Sequence, residues 1–483
     1  MRRENEKGRA NPMAMSAEER QQMLLTQPVE KIIPKMALPT ICSMLITSIY
    51  NMADTYFVSQ IGTAEATASG TSASAAVGIV FSVMAMIQAL AFMFGMGSGT
   101  NVSHLLGMGK RKEAEVYSAV GFFSAVAAGV LIAVLGNVFN EPLMRLLGAT
   151  ETAMPYALDY ARYIFLAAPF MMGSLSMNNL LRFQGLATYG MVGIISGGLL
   201  NMLLDPLLIF VCHFGMAGAA IATVAGQALT AGLSIWYLTR MKQIHLQKDS
   251  FRPRAHLLGK CAKLGMTSFL AQISLVAAMA ATNTMLRICS AQDAVFSQEE
   301  FSAIPMAVFG IVMKVFQIVI SCAIGLAAGC IPVAGYNMGA GRYDRVKGLL
   351  TRLLAAEAVV GLIALLVVEL LPDQVMLLFG AQNESIHYTL FARRCFRVYL
   401  SMIVLACINK GTFIFLQSLG KAAASTLLSM AREIVFGVGL VLLLPQFFQL
   451  DGVIYSMPAA DVLTAILSAV VLVRTYRSLE TEK

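Results

Sequence analysis

Two carboxylates, an amide and a hydroxyl stand where the sequence is otherwise apolar. Asp54 lies in SIYNMADTYFVSQIG, Asn201 and Asp205 in LLNMLLDPLLIF, and Thr223 in GMAGAAIATVAGQALTAG. An ionisable side chain within such a run is costly in a bilayer and marks a functional position by default. Asn201 and Asp205 are four residues apart, so a helix presents both on one face. Pro206 follows at once and frees a backbone carbonyl. Brought together, Asp54, Asn201, Asp205 and Thr223 would form a set of hard oxygen ligands around two carboxylates. Such a set can take a proton, because burial and a like charge both favour the neutral acid, or it can take Na⁺. Gln227 follows one helical turn after Thr223.

A second polar set is spread over the later part of the chain. Lys314 lies in FGIVMKVFQIV, Arg432 and Glu433 in LLSMAREIVFG, and Asp461 in MPAADVLTA, with Gln272, Asn283 and Asn409 as further polar positions. The signs are mixed, so these charges can pair with one another or meet a substrate. Other chemistries lack their residues. No G-x4-G-K-S/T phosphate loop, H-E-x-x-H helix or nucleophile elbow is present, and the five His and eight Cys show no metal-ligand spacing. The expectation is no enzyme, no cofactor and no resident metal, apart from a coupling Na⁺ at the first set.

The elements that must position these residues are membrane spans. Of the 483 residues 57% are hydrophobic and only 13% charged, about half the charge of a soluble domain. Apolar runs of roughly 20 residues, enough to cross the hydrocarbon, occur at 36–58, 71–94, 116–139, 155–177, 190–212, 216–239, 262–286, 303–328, 349–371, 389–416, 422–445 and 452–473. The first residues are charged and lack an apolar core joined to a cleavage site, so no signal peptide is expected.

Lys and Arg gather in alternate loops: Arg2 to Lys35, Lys110 to Lys112, and Arg240 to Lys263, while 60–70, 291–303, 372–387 and 445–451 carry none. By the positive-inside rule both termini are cytoplasmic, and the net charge of +8 follows from topology rather than from nucleic-acid binding. Arg393, Arg394 and Arg397 run against this pattern.

The twelve runs form a repeat. Gly95, Gly99, Met108 and Gly109 fall on Gly325, Gly329, Met338 and Gly339; ALTAGLS at 228–234 falls on VLTAILS at 462–468; Gln184 and Leu186 fall on Gln417 and Leu419. Six spans per copy is an even number, so the copies enter from the same side, as parallel-repeat transporters do. The expected fold is an all-α polytopic membrane protein of two six-helix bundles. Its parts are a cytoplasmic arm 1–35, a first lobe 36–239, a linker 240–261, a second lobe 262–473 and a tail 474–483. The chemistry is not repeated, since Asn201 and Asp205 fall on Ile434 and Val438. Ion coupling is therefore expected in the first lobe. The 31 Met and 26 Phe would suit a cavity that repacks around many apolar shapes.

MADTYFVSQIG in the first span, LRFQG leading to LLNMLLDPLLIF in the fifth, and GYNMGAGRYDRVK after the eighth resemble the multidrug and toxic compound extrusion (MATE) family, with DPLLIF closest to its MepA-like bacterial branch. The resemblance covers the chain from about Lys31 to Arg474. It implies a monomeric, multi-pass exporter in the bacterial plasma membrane that expels amphipathic or cationic drugs against inward H⁺ or Na⁺ by alternating access. It also implies an ion site at Asp54, Asn201, Asp205 and Thr223, and a hinge at Pro39. Some members carry a carboxylate in the tenth span where this chain has Asn409. The other reading is a flippase for lipid-linked oligosaccharide, which Lys314 and Arg432 would suit.

Overall fold

The structure is a computed structural model that describes residues 16–59, 69–147, 149, 154–240, 255–298, 301–302, 304–378 and 386–481. Most of the linker, the loop 60–68 and the first fifteen residues, with their basic clusters, lie outside the described residues. Within them there is no strand. In hydrocarbon every backbone donor and acceptor must be satisfied within its own segment, and apolar runs of this length do so as helices.

The helices of the first repeat are α1 (Ala17–Thr26), α2 (Val29–Ser59), α3 (Ser69–Gly107), α4 (Arg111–Val138), α5 (Asn140–Leu146), α6 (Met154–Phe183), α7 (Ala187–Pro206) and α8 (Gly215–Arg240). Those of the second are α9 (Ala255–Gln292), α10 (Ile304–Gly339), α11 (Tyr343–Leu370), α12 (Pro372–Leu378), α13 (Ile386–Tyr399), α14 (Ile403–Ser418), α15 (Ala422–Met430), α16 (Gly439–Leu443), α17 (Pro445–Phe448) and α18 (Leu450–Thr481). Among the described residues eleven helical spans are long and apolar enough to cross a membrane, and the bent pair α13 and α14, counted as one span, makes the twelfth. The twelve-span expectation is thus met.

The tenth span departs from the continuous helix expected over 389–416. It breaks between α13 and α14 with a 45° bend. No proline causes this. Ser401 turns both its hydroxyl and its amide onto the Val398 carbonyl, at 2.7 and 3.2 Å, and a serine that takes a nearby carbonyl in this way bends a helix.

The chain divides into two compact units, 1–269 with 331–342, and 270–330 with 343–483. In the first unit α6 is the central element. It packs on α3, α4 and α8, and its Tyr160, Ile164, Phe165, Met171 and Met172 are at most 1% exposed. The N-terminal arm carries structure of its own: Ser16 accepts from the Glu19 amide at 3.2 Å while the Glu19 carboxylate accepts from the Ser16 amide at 2.9 Å, a capping box that starts α1. Helix α1 is tied down at several points. Gln21 donates to Leu106 O (3.0 Å), Asn337 to Leu24 O (3.1 Å) and Arg342 to Leu25 O (2.7 Å), and the Leu24 side chain is fully buried.

In the second unit α11 packs along α14, and α13 along α18. Its core holds Phe309, Val312, Phe396, Tyr399, Val453 and Ile454. The three arginines that ran against the charge pattern are all paired: Arg393 with Asp373 and Arg394 with Asp451, both at 2.6 Å, and Arg397 with Glu369 at 3.7 Å. Asp373 lies outside the spans, and the hydrogen bond from Arg393 holds its carboxyl below the usual carboxylate value.

Candidate functional site

The first-repeat set is assembled by three helices. Helix α2 carries Tyr50 and Asp54 one turn apart, α7 carries Asn201 and Asp205 one turn apart, and α8 carries Thr223, Gln227 and Thr230 at successive turns. Helices α7 and α8 approach closely because Gly197 and Gly226 face one another. A Cβ on Gly197 would collide with Thr230 Oγ1, and one on Gly226 would stand 2.6 Å from Gly197 O. Thr230 stitches the seam by donating to Gly193 O (3.1 Å) and Gly226 O (3.0 Å).

Local sequence then shapes the far end of α7. Pro206 lacks an N–H, and the chain continues as a π turn over Leu207–Val211, closed by Cys212 N on Leu207 O at 2.9 Å. Single π turns inside helices recur at functional sites. Asp205, just before it, has no exposed surface; Asn201 is 4% and Thr223 7% exposed.

These side chains leave acceptors open. Asn201 Nδ2 donates to Asp205 Oδ1 at 3.4 Å, and Thr223 Oγ1 donates to Ala219 O in its own helix at 3.1 Å. Asp54 Oδ1, Asn201 Oδ1 and Asp205 Oδ2 are enclosed with no hydrogen-bond partner among the described residues. Asp54 and Asp205 lie within electrostatic reach of each other, and buried Tyr160 feels both. Gln227 is bound into the wall, its Oε1 accepting from Ser174 Oγ at 2.7 Å and its side chain bonded to Tyr50. A cavity of about 50 Å³, lined by Tyr50, Ser174, Asn201, Thr223 and Gln227 among others, opens beside them. One water needs roughly 10–15 Å³ by this measure, so it can admit a few waters. Two carboxylates in mutual reach with three unfilled oxygen acceptors are arranged to bind one small cation.

The second-repeat charges are arranged otherwise. Arg432 and Glu433 sit on a π segment, Ala431–Val438, in the same fifth span of their repeat. Arg432 Nε donates to Asp461 Oδ1 at 2.8 Å and Nη1 to Glu433 Oε1 at 2.6 Å. Lys410 Nζ, a partner that sequence reasoning missed, donates to the same Glu433 oxygen at 3.0 Å. Asn409 is fully buried and bridges α14 to α18, donating to Asp461 O (3.1 Å) and accepting from Ser468 Oγ (3.2 Å). A cavity of about 60 Å³ lies against this network, walled by Met279, Asn283, Phe309, Met313, Tyr399 and Arg432 among others. Gln272 is half-buried and Lys314 exposed, and neither lines that cavity. Pro39 lies inside α2, where Ser43 Oγ donates to its carbonyl at 2.8 Å.

Comparison with known proteins gives these positions a context. The MatE family profile matches residues 39–207 and 278–443. A protein named multidrug export protein MepA from Staphylococcus haemolyticus is 24% identical over 457 residues, covering 94% of this chain and 95% of its own. A protein of the same name from Staphylococcus aureus strain MRSA252 is 23% identical over 449 residues, covering 92% and 94%. A structure described as the outward-facing conformation of a multidrug resistance MATE family transporter superposes with a TM-score of 0.85 at 23% identity, over 95% of this chain and 98% of that one, which shows a shared fold.

Proposed function

We propose, from the premise that the chain belongs to the MatE family, a family of transporters and not of enzymes, that it is a multi-pass bacterial membrane exporter of amphipathic, often cationic drugs driven by inward H⁺ or Na⁺. The observation that carries the reading is the first-repeat set: Asp54 Oδ1, Asn201 Oδ1 and Asp205 Oδ2, enclosed and without donors, beside a cavity that admits water. Two carboxylates so close gain from a shared cation, whether that is a proton on one of them or Na⁺ among the oxygens. Thr223 adds a hydroxyl oxygen.

The drug is assigned to the second-repeat cavity. Its Met and aromatic walls adapt to varied apolar shapes, and the Lys410, Arg432, Glu433 and Asp461 network brings two charges of each sign, so the site has no net charge to repel an organic cation. Ion binding in the first repeat and drug release from the second are then linked by alternating access, with Pro39 as the bending point of α2. Both termini lie in the cytoplasm and the unit acts as a monomer. A monovalent ion crossing about 100 mV supplies ~2.3 kcal/mol, enough for about a fiftyfold drug ratio when one net charge moves. The flippase reading drew on Lys314 and Arg432. Arg432 is neutralised by two carboxylates and Lys314 lies off the cavity, so no specific observation favours it.

The test is reconstitution in liposomes, following uptake of a fluorescent cation under an imposed pH or Na⁺ gradient. One of the two gradients is expected to drive saturable transport, and Asp54→Asn and Asp205→Asn each to reduce it to background. Transport driven by neither gradient overturns the antiporter; wild-type transport in both variants overturns the ion site alone.

A further inference from the structure

A carboxylate that plays no part in either site lies in the ninth span. Glu357, on α11, has no exposed surface, and neither of its oxygens has a hydrogen-bond partner among the described residues. It is wedged into the seam with α14. A Cβ placed on Gly411 would stand 2.9 Å from Glu357 Cγ, so only glycine leaves room for the side chain. One turn further along α11 a Cβ on Gly361 would stand 2.6 Å from Val404 Cα. The two glycines thus let the helices touch almost backbone to backbone, with Glu357 in the contact.

The surroundings decide what such a group can be. Among the described residues, three thiols lie in electrostatic reach of it, Cys322 and Cys330 from α10 and Cys407 from α14. Lys410 of α14 and Asp461 of α18 are committed to Glu433 and Arg432 of the π segment. Along α11, Arg352 lies five residues from Glu357 and turns its guanidinium back onto Gly348 O at 3.3 Å, while Lys347 is paired with Glu480 and Glu369 with Arg397, each almost three turns or more away. An ionised carboxylate here would lack any counter-charge or donor, and its desolvation costs several kcal/mol even after relaxation. A sodium ion would find thiols where it needs several oxygens. The proton is the one cation that the site can hold. Leucine would fill the same seam without the penalty of an unpaired hydroxyl, so packing alone does not account for a Glu.

We propose that Glu357 is a second-repeat proton-binding site, occupied in this conformation and emptied when α11 and α14 part. On opening, the carboxyl O–H bond breaks, its electron pair stays on the carboxylate, and the proton passes to water entering the seam. This concerns one proton on one residue and stands independently of whether Asp54 and Asp205 carry the coupling ion.

Infrared difference spectroscopy of the protein in lipid, titrated in pH in H₂O and D₂O, tests it. At neutral pH the wild type is expected to show a protonated-carboxyl C=O band that shifts in D₂O, is absent in Glu357→Gln, persists in Asp54→Asn/Asp205→Asn, and disappears reversibly at alkaline pH with loss of one proton per chain. Glu357→Asp, which keeps the acid, should move the band rather than abolish it, and serves if Glu357→Gln does not fold. No band removed by either substitution at neutral pH would mean that the group is ionised, and the proposal fails. A band that never deprotonates while the protein stays folded would mean a permanently neutral packing group, and the proposal fails equally.

Discussion

In the first repeat, Asp54, Asn201 and Asp205 each hold an enclosed oxygen that accepts no hydrogen bond from the described residues, whereas in the second Arg432 meets Asp461 at 2.8 Å and Glu433 at 2.6 Å, and Lys410 closes the set at 3.0 Å. Both clusters sit next to a π turn in the fifth helix of their repeat. One backbone plan therefore carries two electrostatic states: two acids without a cation, and two acids with two cations built in. A duplicated scaffold can keep its geometry while one copy supplies its own counter-charges and the other must recruit one from outside.

That contrast can be broken by measurement, and the largest effect is expected in the second repeat. Arg432→Met strands the buried Asp461 carboxylate and leaves Glu433 with Lys410 alone, and loss of one partner of such a pair costs about 3–5 kcal/mol. The apparent Tm should fall steeply, and Arg432→Met/Asp461→Asn, which leaves Lys410 paired with Glu433, should recover most of it. A wild-type Tm for the single variant would show that the network is not mutually dependent.

Next in size is Gly197→Ala, which drives a methyl into Thr230 Oγ1 and should cost about 1–3 kcal/mol by overpacking. The second repeat has Met430 at the offset of 233, so this close seam belongs to the first copy alone. Thermal unfolding and the transport assay should fall together; if only Tm moves, the seam supports the fold without setting the site. Asp205→Asn is expected to change stability by less than ~1 kcal/mol, since it removes a group with little holding it, while coupled uptake is lost. A large loss of stability there would mean that the acid is structurally paired after all, and the contrast between repeats would fail.

The smallest effect belongs to the exposed pair Arg393–Asp373. Arg393→Ala should lower Tm slightly near neutral pH. Because the folded value of Asp373 is depressed, its contribution is present above the unfolded carboxylate value of about 3.9 and fades as pH falls through the folded one. The difference between variant and wild type should close at acid pH and in high salt.

Much of this was legible in the chain. Twelve spans follow from apolar run length, and the duplication from echoes at nearly constant offset. Asp54, Asn201, Asp205 and Thr223 stood out because an oxygen in an apolar run is expensive wherever it points. What was not legible depends on distance or on side-chain choice. The partners of Arg393 and Arg394 lie 20 and 57 residues away, beyond any helical period. The break at Ser401 comes from a hydroxyl choosing a carbonyl, with no Pro or Gly to announce it. Glu357 and Lys410 did carry a signal, a lone charge within an apolar run, and went unmarked beside the more obvious Arg432–Glu433 doublet. Ser16 and Glu19 likewise spell a helix start inside an arm that reads as mere charge.

The tie between α1 and the far end of α10 has a bearing on how the chain is made. Leu24 and Leu25 accept from Asn337 and Arg342, residues 313 and 317 positions later. At roughly 5–20 residues per second, synthesis of that interval takes about 16 to 63 s. For that long α1 can reach Leu106 through Gln21 but lacks its two later partners. Full docking of α1 can therefore mark a late step of biogenesis, completed only after eight of the twelve spans have been synthesised.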